Sequence, residues 1–247
     1  MDHDFSKEPW DEPPHHETAI ATDTETSGFK PGVHGIVALG AVGHDYTGKE
    51  LGRFGTLVNP GDDTVFDPKA MAVNGISMED VANAPHIRDV LPAYIDKLKE
   101  WHRSKTYENP DRPGSIGTVP ATHLVGHNLG FDLDHIRAAI EKHTPKLAGA
   151  FGQISRNQYD TQQHSPVAGK QRTLAGLGKV VGVDNAAPHT VMGDVDQTMG
   201  IYHQLRGRER MGEKAVQQFM ANNLAQQAQQ PKISRLLPWI TNRMLIR

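Results

Sequence analysis

The chain has 247 residues, of which 26 are Lys or Arg and 29 are Asp or Glu, for a formal net charge of −3. That length allows one large domain with appendages, and a hydrophobic share of 37% is enough to build a sizeable core. With Cys 0, the chain has no disulfide scaffold, thiol nucleophile, Cys-ligated zinc or iron–sulfur cluster.

Residues 1–17 carry Asp2, Asp4, Glu8, Asp11, Glu12 and Glu17 against Lys7 alone, with Pro9, Pro13 and Pro14 among them, and read as an acidic flexible arm. An acidic start is the wrong chemistry for a signal or transit peptide, and no apolar run is long enough for a bilayer. A soluble, intracellular protein of the cytoplasm (the host's, for a viral gene) with no membrane partner is expected. Residues 18–22 are rich in β-formers and predict a strand that runs straight into Asp23-Thr24-Glu25-Thr26. Residues 33–42 and 54–58 predict a second and a third strand, joined through the hairpin-type turn Asp45-Tyr46-Thr47-Gly48. Ser77 with Asp80 three residues on marks a helix start. Val90, Leu91, Tyr94, Ile95 and Leu98 have helical spacing, giving a helix to residue 101. Pro110, Pro113, Gly114, Gly117 and Pro120 make residues 103–120 a loop or insertion.

His123-Leu124-Val125 predicts a short strand, and Gly126-His127-Asn128 a tight turn in which Asn128 can cap the next helix. Phe131, Ile136, Ala139 and Ile140 suit that helix's apolar face. Leu174, Leu177 and Val180 predict a short helix over 173–181, a turn follows through 182–185, and residues 191–205 read as helical. Strands come first as a meander and then alternate with helices, which predicts an α/β domain with a mixed sheet over 18–205. Residues 206–247 read as a basic, partly helical tail. Their Gln- and Ala-rich stretch is followed by Ile233, Leu236, Leu237, Ile240 and Met244, an apolar stripe that Pro238 interrupts. The tail fits contact with nucleic acid or an acidic partner as well as it fits a solvated helix and a frayed end.

Asp23 and Glu25, two apart on a strand, point to one face, where they repel each other unless a cation is shared. Asp132 falls in the first turn of the helix begun near Asn128, where the helix dipole welcomes a carboxylate. His189 and Asp194 stand five apart, the first on a loop after Pro188 and the second one turn into a helix. Each residue alone has an ordinary structural reading. Together they put four acids and a histidine on three segments, each at a strand end or helix start, as a metal site for phosphoryl chemistry requires. Oxygen ligands suit Mg²⁺ or Mn²⁺. Two such ions about 4 Å apart can hold the attacking water and the leaving oxygen of an in-line displacement. An imidazole, with its ordinary pKa of about 6.5, can accept the water's proton near neutral pH.

Asp23-Thr24-Glu25-Thr26-Ser27-Gly28 resembles the first motif of the DEDDh 3′–5′ exonucleases. His127-Asn128-Leu129-Gly130-Phe131-Asp132 resembles the second, and His189-Thr190-Val191-Met192-Gly193-Asp194 the third. Asn59-Pro60, Asn74-Gly75-Ile76, Asp160-Thr161 and Leu174/Leu177 fall where proofreading (epsilon) subunits of bacterial DNA polymerase III carry similar signatures. The resemblance covers about residues 18–205 and implies an RNase H-like fold, a central mixed sheet flanked by helices. By the same resemblance Asp23, Glu25 and Asp194 hold a catalytic metal, Asp23 bridges to a second, Asp132 steadies that second ion through water, and His189 is the general base. Thr24, Thr26, His127 and Phe131 line the pocket for the terminal nucleotide. Asn74 departs from the family's frequent histidine and Ala38 from a frequent glutamate. Asp160 matches an aspartate that is structural rather than a ligand.

The implied function is a Mg²⁺- or Mn²⁺-dependent 3′–5′ exonuclease that releases nucleoside monophosphates from a single-stranded or frayed DNA end, in proofreading or repair. Its tail, 206–247, suits docking to a polymerase or clamp. An RNA- or oligonucleotide-trimming enzyme of the same family shares all five residues. An inactive nucleic-acid-binding or scaffold subunit is the alternative of another class, and its mark would be loss of one of the five.

Overall fold

The computed structural model describes residues 17–108 and 114–209. Most of the acidic arm and of the basic tail, with its apolar stripe, lies outside them.

The meander forms as β1 (Thr18–Thr26), β2 (Ile36–Asp45) and β3 (Glu50–Leu57). β2 begins later than expected because residues 30–34 turn back on themselves, with the Lys30 carbonyl accepting from Val33 and His34. The β2–β3 turn is built by Asp45, whose Oδ1 accepts from the backbone of Thr47 and Lys49, with Gly48 at φ 85. Then come α1 (Pro68–Asn74), α2 (Met78–Asn83) and α3 (Ile87–Trp101). Ser77 and Asp80 form the expected capping box at α2.

The segment read as a loop is instead a ribbon. β4 (Ser104–Glu108) and β5 (Ile116–Pro120) pair antiparallel, apart from the main sheet. Its prolines and glycines misled because Gly114 falls in the turn region and Pro120 at a strand end, positions that tolerate them. The chain continues through β6 (Thr122–Gly126), α4 (Leu129–His143), α5 (Ala148–Ile154), β7 (Gln158–Asp160), α6 (Leu174–Val181) and α7 (Val191–Glu209). α7 runs past the expected end at residue 205.

The central sheet has the order β3-β2-β1-β6-β7. β1–β2 and β2–β3 are antiparallel, whereas β1–β6 and β6–β7 are parallel, so the sheet is mixed as expected. Alternation along β1 supplies a core on each face. Ile20 joins Leu91, Ile95, Ile136, Phe151 and others beneath α3, α4 and α5, while Ala19 and Ala21 join Leu177, Val195 and Met199 beneath α6 and α7. No helix among the described residues is long and apolar enough to cross a membrane.

Candidate metal centre and active site

The site forms where β1 outlasts its neighbour. β1 pairs with β6 only as far as Ala21↔Val125, but stays paired with β2 as far as Thr26↔Ile36. Beyond Ala21 one edge of β1 is therefore without a strand partner, and the start of α4 fills the notch. The backbone N–H of Thr24 donates to Asp132 Oδ1 at 2.9 Å, and the Thr24 hydroxyl to the same oxygen at 2.7 Å.

Alternation sorts the motif. Thr22, Thr24 and Thr26 are buried, while Asp23 and Glu25 point to the other face and keep partial access to solvent. There they meet Asp194 in the first turn of α7. Asp23, Glu25 and Asp194 each offer a carboxylate oxygen, and the three lie within 4.8 Å of one another. Asp132 is not in this group. It is 3% exposed on Thr24 and acts on the group through its charge.

His189 is exposed and sits in the left-handed region at φ 62, five residues before Asp194. Thr190 ends its loop and caps α7: its hydroxyl donates to the Ala187 carbonyl at 2.7 Å and accepts from Gly193 N–H at 3.2 Å.

One sequence expectation changes in detail. Asn128, expected to cap α4 with its side chain, lies at φ 62 and makes no such bond. The cap comes from Asp160, whose two carboxylate oxygens accept from Asn128 N–H at 3.0 Å and Leu129 N–H at 3.1 Å. That bears out Asp160 as a structural group. The hydroxyl of Thr24 is held on Asp132, and that of Thr26 donates to the Gly28 carbonyl. His127 is half-buried with Nδ1 3.0 Å from Thr161 Oγ1. Since that hydroxyl donates to the Gly126 carbonyl, it accepts from the imidazole, which fixes the proton on Nδ1.

Phe131 is half-buried and packs edge-on to Phe29, which is 74% exposed. Phe29 had no signal in the sequence beyond following Gly28. Asn185 was also missed, because an asparagine in a turn reads as turn chemistry. Its amide donates to Asp194 Oδ1 at 2.6 Å.

The acids are held above their ordinary range. Burial, then Asp132, Glu25 and Asp194, push Asp23 well up. Burial and the charges of Asp194 and Asp132 raise Glu25 to about 7. Burial also takes Asp132 to about 7 against the two Thr24 hydrogen bonds. Burial raises Asp194 too, opposed by the Asn185 amide and by His189. Carboxylates crowded in this way are relieved by a shared cation, and an all-oxygen donor set fits Mg²⁺ or Mn²⁺.

Comparison with known proteins agrees with this geometry. Residues 20–110 match the RNase_T exonuclease family model. A Mycobacterium tuberculosis protein named as a bifunctional exonuclease/endonuclease is 26% identical over 213 residues, 82% of this chain and 28% of its own length. The DNA polymerase III epsilon subunit of Treponema pallidum is 29% identical over 125 residues, 51% of this chain and 47% of its own. Escherichia coli exonuclease I, solved with a dT13 oligonucleotide, superimposes with a TM-score of 0.61 at 18% identity, covering 79% of this chain and 42% of that one. The chain thus spans less than half the length of each of these proteins. The fold is RNase H-like.

Proposed function

We propose that the chain, whose residues 20–110 match an exonuclease family model, is a nuclease that removes nucleotides from the 3′ end of single-stranded or frayed DNA, as nucleoside monophosphates, in proofreading or repair. The observation that carries this reading is the convergence of Asp23, Glu25 and Asp194 within 4.8 Å, with His189 on the loop that leads into Asp194. The order and spacing of the three motifs support the 3′–5′ direction. The epsilon relative and the oligonucleotide-bound exonuclease I support DNA as substrate and a DNA polymerase as partner. The tail over 206–247 is the segment we assign to that docking.

In this mechanism Asp23, Glu25 and Asp194 would hold Mg²⁺ or Mn²⁺, and Asp132 would serve a second ion beside them. A metal bound there would supply Lewis-acid activation of the phosphodiester and charge neutralisation at the leaving oxygen. Asp194 and Asp23 approach from α7 and β1, so the reacting phosphate lies between two rigid elements. His189, exposed beside them, takes the proton of the attacking water on its imidazole. Phe29 and Phe131 offer an aromatic face to the terminal base, and His127 lines the pocket beside them.

The test is a time course on 3′- and 5′-labelled strands of DNA and RNA, in Mg²⁺ and in chelator, with Asp23→Ala as control. A ladder that shrinks from the 3′ end, needs metal and Asp23, and runs faster on DNA supports the reading. Faster RNA trimming moves the substrate to RNA, and no cleavage in any metal overturns the enzyme assignment.

A further inference from the structure

Asp194 is held by an amide network that the motif pattern does not contain. Asn185 Nδ2 donates one hydrogen to Asp194 Oδ1 at 2.6 Å and the other to Gln197 Oε1 at 3.2 Å. Asn185 Oδ1 accepts from Ala187 N–H at 2.9 Å. Gln197, 4% exposed, is in turn fixed by donating from Nε2 to the Val183 carbonyl at 3.1 Å. Both amide hydrogens and the oxygen of the Asn185 side chain therefore have defined partners. Flipping the amide would set a carbonyl oxygen against the Asp194 carboxylate and a donor against the Ala187 N–H, so only one orientation is favourable.

The surrounding backbone is shaped to admit this network. A Cβ on Gly193 would run into the Ala187 carbonyl and stand 2.8 Å from Asn185 Oδ1. A Cβ on Gly178 would collide with Gln197 Nε2 and the Val183 carbonyl. Both glycines thus give close approach between the loop that carries His189 and the helices on either side.

We infer that Asn185 is the positioning residue of the metal centre, holding the Asp194 carboxylate toward Asp23 and Glu25 and tying the His189 loop to the first turn of α7. The need is electrostatic. A free carboxylate in that turn would rotate away from two others, and a donor on Oδ1 opposes that rotation. The inference rests on the metal-dependent reading above and adds a residue that touches neither substrate nor the reacting atoms.

The experiment is Mn²⁺ binding by electron paramagnetic resonance on the full chain, for wild type, Asn185→Ala, Asn185→Asp and Asp194→Ala, beside thermal melts and steady-state trimming. Asn185→Asp keeps the volume and the acceptor for Ala187 but replaces the donor to Asp194 with a like charge, so it opposes the positioning directly in a chain that retains its loop. Both Asn185 variants are expected to weaken Mn²⁺ binding by about tenfold or more, within the usual range for loss of an outer partner. Saturating metal should recover much of kcat, with the KM for the strand unmoved. Unchanged or tighter Mn²⁺ binding in a variant that melts as wild type does would overturn the inference. Should both Asn185 variants unfold, Gln197→Met, which leaves Asn185 in place without its brace, is expected to weaken Mn²⁺ binding, and an unchanged affinity there would also overturn it. Wild type that binds no Mn²⁺, or Asp194→Ala that binds it as wild type does, would instead remove the metal reading itself, and the inference with it.

Discussion

Thr24 gives both its backbone N–H and its hydroxyl to a single oxygen of Asp132, at 2.9 and 2.7 Å. This bond joins the edge of β1 to α4 on the sheet face opposite Asp23 and Glu25. The middle residue of the first motif therefore serves the acid of the second motif. Thr24→Val keeps the shape and the backbone donor but removes the hydroxyl. It should destabilise the fold by about 1–3 kcal/mol where Asp132 is ionised, the cost of losing a hydrogen bond to a buried charged group. The loss should be larger at pH 8.5 than at pH 5.5, because Asp132 titrates at about 7. Urea unfolding at the two pH values measures it, and an equal loss at both would refute the assignment.

Crowding of the acids makes stability depend on pH and on metal together. Glu25 and Asp132 are each pushed up to about 7 in the fold, above their ordinary values of 4.5 and 3.8. For an acid raised on folding, the native state holds the proton longer than the unfolded chain, so stability falls as pH rises through that interval. The metal-free chain should thus lose stability progressively between about pH 4 and 7 and hold a constant deficit above it. Mg²⁺ should raise the melting temperature, and more so at pH 8 than at pH 6. At 100 times its Kd the gain is about 2.7 kcal/mol, or roughly 5–10 °C for a domain of this size. Scanning calorimetry with and without Mg²⁺ across pH checks the sign.

Much of this was legible in the sequence because short-range rules apply where the motifs lie. The period-2 pattern places Asp23 and Glu25 on one face, and the helical phase of Asp132 and Asp194 sets them at helix starts. What escaped depends on distant partners. Asp160 caps α4 from 31 residues away in sequence, so the local sequence nominated Asn128 instead. Asn185 reaches Asp194 only because Gly193 lets loop and helix touch. The β4–β5 ribbon was hidden because prolines and glycines count against strands on average, yet Pro120 stands at a strand end and Gly114 in the turn region.

The cap itself yields a prediction. The Asp160 carboxylate accepts from the backbone of Asn128, Leu129 and Gln162, three donors at the junction of β6, α4 and β7. Asp160→Ala should cost about 2 kcal/mol, at the upper end of helix-cap losses. Because Asp160 lies outside the acidic group, its removal should leave Mn²⁺ half-saturation within about twofold of wild type, whereas Asp194→Ala should lose it. Denaturant unfolding and metal titration of the same samples separate the two roles. Loss of metal affinity equal to that of Asp194→Ala would make Asp160 a ligand.

His189 combines exposure with a left-handed backbone at φ 62, a region that costs most side chains about 1–2 kcal/mol and that asparagine tolerates better. Such strain persists when surrounding contacts enforce it, and here Ala187 is fixed by Asn185 Oδ1 and by the Thr190 hydroxyl, the latter closing the turn that holds His189. His189→Asn should therefore keep the fold, with a melting temperature equal to or slightly above wild type, because an exposed ring contributes little packing. Its turnover should nonetheless fall by about 10² to 10⁴, the range expected for losing a general base. Mn²⁺ affinity should stay near wild type, since the imidazole is not among the three convergent acids. Stability, metal affinity and kcat moving in these three different directions would identify a group kept in an unfavourable conformation for its chemistry. A turnover unchanged by the substitution would return the proton-accepting role to another group or to solvent.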